Sequence, residues 1–170
     1  FCLSRGLGDV YKRQLLQGDW KSVFSYGLFD GKPLEDKRGV GEWTSDAGIK
    51  GRLLLSRRSL GEDKTISGAL QLVIPSNSVL LGRPYKDYPG LRLVFDAWAG
   101  LNKITPHLPL PQRRSFDDGS SLAGYIGNLI VPLDFELNNT SGDLALNAEV
   151  SGVLCNQDSC NPFRLRPRLI

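Results

Sequence analysis

The sequence predicts an all-β chain folded as an immunoglobulin-like antiparallel β-sandwich. Three observations carry that expectation. Short segments alternate apolar and polar side chains, the period of a strand with one buried face. Turn-forming residues separate these segments about every ten residues. Nineteen Gly and ten Pro in 170 residues favour turns, and no sustained helical period follows residue 15. Roughly seven to nine short strands of this kind fit a sandwich; a small closed barrel is the competing architecture.

The elements follow in chain order. Trp20 to Phe29 holds a first strand, closing at Asp30-Gly31. Lys32 to Gly48 is polar and Gly-rich. Lys50 to Ser56 reads as a strand, closed by a turn at Gly61-Glu62-Asp63. Thr65 to Pro75 is a better one. It sets Ile66, Gly68, Leu70, Leu72 and Ile74 on one face, and Thr65, Ser67, Ala69, Gln71 and Val73 on the other. Ser76-Asn77-Ser78 turns the chain. Leu91 to Ala97 alternates again, with Leu91, Leu93 and Phe95 against Arg92, Val94 and Asp96. Prolines and polar residues from Leu101 to Gly119 predict loop or sheet edge. Tyr125 to Leu137 is extended, and Pro132 predicts an edge strand or a bulge there. Asp143 to Ser151 is the clearest strand, with Leu144, Leu146, Ala148 and Val150 buried and the opposite face wet. Phe163, Leu165, Pro167 and Leu169 then alternate with Arg164, Arg166 and Arg168.

Composition bounds the function. A chain of 170 residues with 41% hydrophobic and 23% charged residues reads as one globular domain. Residues Phe1 to Gln14 (1–14) resemble translated sequencing-adapter read-through and are set aside. Residues 15–170 remain as the domain. The lack of Met and the stop at Arg168-Leu169-Ile170 predict a fragment, truncated at its C-terminus. Setting aside Arg5, Lys12 and Arg13 against Asp9 removes a net +2, so the formal charge falls from +3 to +1. Near-neutrality gives no electrostatic case for a nucleic-acid partner. No apolar run of about eighteen residues is present to span a membrane as a helix.

The chemistry lies in Cys155-Asn156-Gln157-Asp158-Ser159-Cys160. Cys2 falls in the excluded segment. The four intervening residues are turn formers between two strands, so a hairpin would set the cysteines opposite one another. Opposed Cα atoms in an antiparallel pair lie about 4.5–5.5 Å apart, within reach of a disulfide. Such a bond closes a very short loop and stabilises by only about 2 kcal/mol in the chain-entropy picture. That small gain leans towards redox use. Spacing alone leaves three readings open: a redox pair, a structural disulfide, or two core thiols.

Other chemistries find less support. His107 is the one histidine, in a Pro-rich stretch, whereas zinc wants four ligands or three plus water. No nucleophile elbow accompanies it. Neither metal nor cofactor is expected. Trp20, Trp43 and Trp98 could form a carbohydrate platform, but core or edge packing is the simpler reading.

The segment from Pro89 to Phe163 resembles the amino-terminal periplasmic domain of the thiol:disulfide interchange family DsbD and its copper-tolerance relatives ScsB. Pro89-Gly90-Leu91 followed by Phe95-Asp96-Ala97-Trp98 is similar to the family's Gly-Leu-Pro stretch and aromatic-Asp-Trp segment. Leu108-Pro109-Leu110-Pro111-Gln112-Arg113 resembles its Trp-Pro-Ala-Pro-x-Arg run, with Leu108 in place of Trp. Gly124-Tyr125 and Ile130-Val131-Pro132-Leu133 resemble its Gly-Tyr and Val-x-Pro elements. Cys155, Cys160 and Pro162 resemble its closing signature, although Gly152 stands where members often carry Tyr.

The resemblance implies a protein-disulfide reductase module in the periplasm, tethered to the inner membrane through a membrane-embedded domain of the full-length chain. A thioredoxin-like domain would donate electrons, and oxidised periplasmic proteins would accept them. Cytochrome c biogenesis and copper tolerance are processes the resemblance brings with it. Cys155 and Cys160 would be catalytic, with Cys160 the more buried resolving thiol and Cys155 forming mixed disulfides. An aromatic cap loop would shield them, placed around Tyr85 to Tyr88. Arg164 and Arg166 could favour a thiolate, although a solvated strand face is the simpler assignment. Tyr125 and Phe163 could cover the sulfurs, with core packing the simpler role. The rival is an immunoglobulin-like binding module with a purely structural disulfide.

Overall fold

The structure is a computed structural model and describes residues 39–55, 59–60, 68–98, 101–137, 142–143 and 145–169. Residues 1–14, the strand expected within Trp20 to Phe29, most of the Gly-rich stretch, and the turn at Gly61-Glu62-Asp63 lie outside the described residues.

The described chain is built of strands. They are β1 (Thr44–Asp46), β2 (Ile49–Leu55), β3 (Ser59–Leu60), β4 (Gly68–Val73), β5 (Val79–Leu81), β6 (Arg92–Trp98) and β7 (Leu101–Pro106). Then come β8 (Gln112–Ser115), β9 (Ser121–Tyr125), β10 (Asn128–Leu137), β11 (Gly142–Asp143), β12 (Ala145–Cys155), β13 (Cys160–Leu165) and β14 (Arg168–Leu169). One sheet has the order β1-β2-β4-β10-β7. A second large sheet runs β13-β12-β5-β9-β8, with β6 and β14 also paired to β12, and β11 pairs with β3 in a small two-stranded sheet. All these pairings are antiparallel. The architecture is the expected immunoglobulin-like sandwich rather than a closed barrel.

The main core lies between the sheets. Leu53, Leu70, Leu72 and Val131 from one sheet meet Leu80, Leu146, Val150 and Leu165 from the other, all at or near zero exposure. A fully buried side chain of this size contributes about 1.5–3 kcal/mol, so this layer holds the sheets together. The alternation read at Leu91, Leu93 and Phe95 holds, since these pack on the core while Arg92, Val94 and Asp96 are exposed. It holds from Phe163 to Leu169 as well, buried and exposed at every other residue.

Two expectations, both about Tyr125 to Leu137, need correction, and one strand is covered beyond what its alternation shows. Strand β4 is buried on both faces, because Ala69 and Gln71 are also covered. Gln71 is tolerated there because its Oε1 accepts a 2.8 Å hydrogen bond from Arg52 Nε. Tyr125 to Leu137 is two strands, split at Ile126-Gly127. Pro132 marks neither an edge strand nor a bulge: β10 is interior, and its register shift falls at Glu136/Leu137. The reason is local. The Pro132 carbonyl points towards β7, where it accepts from His107 N at 2.8 Å, just past that ladder's end. The donor that proline lacks would point the same way, so no bond to β4 is lost. Leu101 to Gly119 does lie at edges, with β7 and β8 each ending a sheet.

Candidate functional site

Strands β12 and β13 form a hairpin in which Cys155 pairs directly with Cys160. Four residues, Asn156 to Ser159, connect them. The backbone N–H of Asn156 donates to Ser159 O at 2.9 Å. Asn156 Oδ1 accepts from the backbone N–H groups of Asp158 (2.9 Å) and Ser159 (2.8 Å). This side-chain turn is why a short polar linker closes the hairpin in this register. Because 156 and 159 form the hydrogen-bonded pair, 155 and 160 occupy the narrow, non-hydrogen-bonded one. Their Cα atoms lie 4.1 Å apart and the two sulfurs are joined as a disulfide.

Side-chain alternation fixes which face the sulfurs take. Gly152, Leu154 and Phe163 belong to the inter-sheet side, and Phe163 lies over Gly152. A Cβ on Gly152 would sit 3.2 Å from that ring, so Phe163 fills the space a side chain would need. Val153, Cys155 and Cys160 face outwards. There they join Val79, Leu81 and Leu122 in a second apolar cluster, covered by Tyr85 and Phe116.

Two loops supply that cover. Tyr85 and Tyr88 exchange backbone hydrogen bonds at 3.0 Å, making a tight hairpin with Lys86 at a φ of 52°. Phe116 sits in a turn closed by its N–H to Ser120 O at 2.9 Å. Asp118 Oδ1 accepts from Ser120 N and Oγ in the same turn, and those bonds hold its carboxyl below the usual range. Gln157 Nε2, at the tip of the cysteine hairpin, reaches Asp117 Oδ2 at 3.5 Å.

The aromatic cover expected near Tyr85 to Tyr88 is met by Tyr85 packed on the cluster that holds both cysteines. Phe116 was not singled out by the sequence. Its one signal is a large aromatic alone in a polar turn, Ser115 to Ser120. Tyr125 and Phe163 lie on the opposite face, in the main core, and do not cover the sulfurs. Burial raises the Tyr125 hydroxyl above its ordinary pKa, and that hydroxyl donates to Pro109 O at 2.6 Å.

The order of burial reverses the expectation. Cys155 is 1% exposed, whereas Cys160 is half-buried. The cause is position: Cys155 is on a strand flanked on both sides, by β13 and β5, while β13 ends its sheet. Arg164 and Arg166 lie on the exposed strand face, where their Nε atoms reach Glu149 at 3.6 and 3.5 Å. His107 pairs with Asp134 on the neighbouring strand. Trp43 lies 4.3 Å from the Arg52 guanidinium and so forms a cation–π pair rather than an open platform.

Fold and site together define an antiparallel sandwich carrying a disulfide hairpin on its outward face. A solved structure is similar to it in fold: the N-terminal periplasmic domain of ScsB from Proteus mirabilis, with a TM-score of 0.56 at 12% identity. The match covers 77% of this chain and 51% of that one, so the chain spans about half its length. At this identity the likeness establishes a shared fold. No family model and no curated protein matches the sequence.

Proposed function

We propose that the chain is a thiol–disulfide exchange module that relays electrons to oxidised periplasmic proteins through Cys155 and Cys160. The observation that carries this reading is the disulfide at the turn end of a hairpin, outward-facing, with one half-buried cysteine. The ScsB domain with the same fold is periplasmic, which supports a periplasmic setting for this chain. A thioredoxin-like domain is the electron donor. A membrane-embedded domain of the full-length protein tethers the module to the inner membrane.

The exchange balances as follows. A donor thiolate attacks Cys160 Sγ, the sulfur of the accessible cysteine, and the Cys155–Cys160 bond breaks. Cys155 leaves as a thiolate and takes up a proton. The donor's second thiolate then attacks its own sulfur in the mixed disulfide, forming the donor disulfide and releasing the Cys160 thiolate, which is protonated in turn. Two electrons and two protons move from donor to module. The same steps, with Cys160 as nucleophile, reduce a downstream disulfide.

The test is the reduction potential, measured by equilibration with glutathione or dithiothreitol. A relay is expected at about −180 to −270 mV, within reach of thioredoxin-like partners. A value below about −300 mV would make the bond structural and the chain a binding module. The aromatic cover gives a second expectation. Truncating Tyr85 and Phe116 together to Ala opens the cluster, so dithiothreitol should reduce the bond about tenfold faster. An unchanged rate would show that neither ring limits access.

A further inference from the structure

The two cysteines are held unequally. Cys155 lies on β12 and pairs with Cys160 on one side and Val79 on the other. Cys160 begins β13, which ends its sheet, and the next two residues, Asn161 and Pro162, are exposed. Residues 155 and 160 form a non-hydrogen-bonded pair, so no backbone bond joins them. Cys160 is therefore fixed through the bonded pairs on either side, Leu154 with Asn161 and Asn156 with Ser159. While the disulfide is closed, the bond itself keeps the sulfurs together. Once it is reduced, the hairpin alone does so.

Asn156 organises the turn of that hairpin. It is half-buried, whereas Gln157, Asp158 and Ser159 are exposed. Its Oδ1 accepts from Asp158 N at 2.9 Å, Ser159 N at 2.8 Å and Ser159 Oγ at 3.5 Å. Its own backbone N–H donates to Ser159 O at 2.9 Å. Residue 156 is thus tied to the residue directly before Cys160. We infer that Asn156 is a positioning residue for exchange: it holds the Cys160 thiol against the Cys155 thiol in the reduced protein and so lowers the reduction potential of the pair. The inference deepens the relay reading and takes its steps from it. After Cys160 has attacked a downstream disulfide, Cys155 Sγ, as a thiolate, attacks Cys160 Sγ. The Cys155–Cys160 bond forms, the bond to the partner breaks, and the partner's sulfur leaves as a thiolate. Rate and equilibrium of that step follow the effective concentration of one thiol at the other. A side-chain acceptor that keeps the turn folded raises this concentration and favours the disulfide over the dithiol.

Two variants test this on the whole chain. Asn156→Ala removes the acceptor, and Asn156→Asp keeps it. Equilibration with dithiothreitol at about pH 6, below the ordinary thiol range, keeps the added carboxylate from acting on thiolate charge. Asn156→Ala should lower the effective concentration about fivefold. That raises the potential by about 20 mV for a two-electron couple. Asn156→Asp should return it to the wild-type value. A glutathione adduct on Cys160 should last about fivefold longer in the Ala variant, because Cys155 resolves it more slowly. Melting supplies a readout that separates positioning from folding. The reduced form of the Ala variant should melt lower than reduced wild type, whereas the oxidised forms should melt alike, since the disulfide holds the turn. An unchanged potential overturns the inference, as does a rise that Asn156→Asp fails to restore. Equal losses of melting temperature in both redox forms also overturn it, because the side chain then serves folding alone. A wild-type potential below about −300 mV sinks the relay, while the difference between variants still decides the role of Asn156.

Discussion

Replacing Cys155 with Ser is expected to leave Cys160 as a lone thiol that accumulates a mixed disulfide with glutathione disulfide or an oxidised thioredoxin-like protein. Replacing Cys160 with Ser should give about tenfold less adduct, or lower still, in the same time. The difference follows from access. Cys160 is half-buried at a sheet edge, whereas Cys155 is 1% exposed beneath Tyr85 and Phe116. An attacking sulfur needs a nearly linear approach, and the strand pairing on both sides of Cys155 blocks it. Once the adduct forms on Cys160 in the Cys155→Ser variant, no neighbouring thiol resolves it, so it persists. Both variants should lose two-electron exchange completely. Mass spectrometry under non-reducing conditions reads the adducts directly. Equal labelling of the two variants, or faster labelling at Cys155, would reverse the assignment of roles.

Adding a single methyl group at Gly124 is expected to be the most disruptive small change near the site. A Cβ there would lie 2.3 Å from the Leu80 carbonyl oxygen and 2.6 Å from a Val79 methyl. Backbone cannot yield as a side chain does, so β9 must move away from β5. Those strands share just two paired positions, Leu80 with Tyr125 and Leu81 with Gly124. Strand β5 also pairs with β12 at Cys155 and puts Val79 and Leu81 into the cluster under the disulfide. Gly124→Ala should therefore cost about 3 kcal/mol, within the range for overpacking. In a chain of this size that lowers Tm by about 6–12 °C. Thermal denaturation by circular dichroism measures it, and a loss under about 2 °C would mean the strands accommodate the methyl freely.

Much of this protein could be read from the chain. Alternation located β6, β12 and β13, since a two-residue period needs no knowledge of the partner strand. The polar tetrapeptide between the cysteines announced a hairpin, and the hairpin brought the sulfurs together. Pro132 misled because a proline's cost depends on which neighbour its missing donor would face. That direction is set by register with β7, which no local pattern contains. The burial of Gln71 could not be read from its strand, because nothing there reveals Arg52, nineteen residues earlier, as its hydrogen-bond partner.

The site divides along the same line. Sequence alone determined the strand periods, the turn, and the identity of the two sulfurs, because each depends on residues adjacent in the chain. Only tertiary structure decided which sulfur is reachable and which aromatic rings cover the bond. Those properties come from neighbours on β5 and two distant loops. Burial and charge at a point are sums over everything nearby in space, and chain order does not carry them.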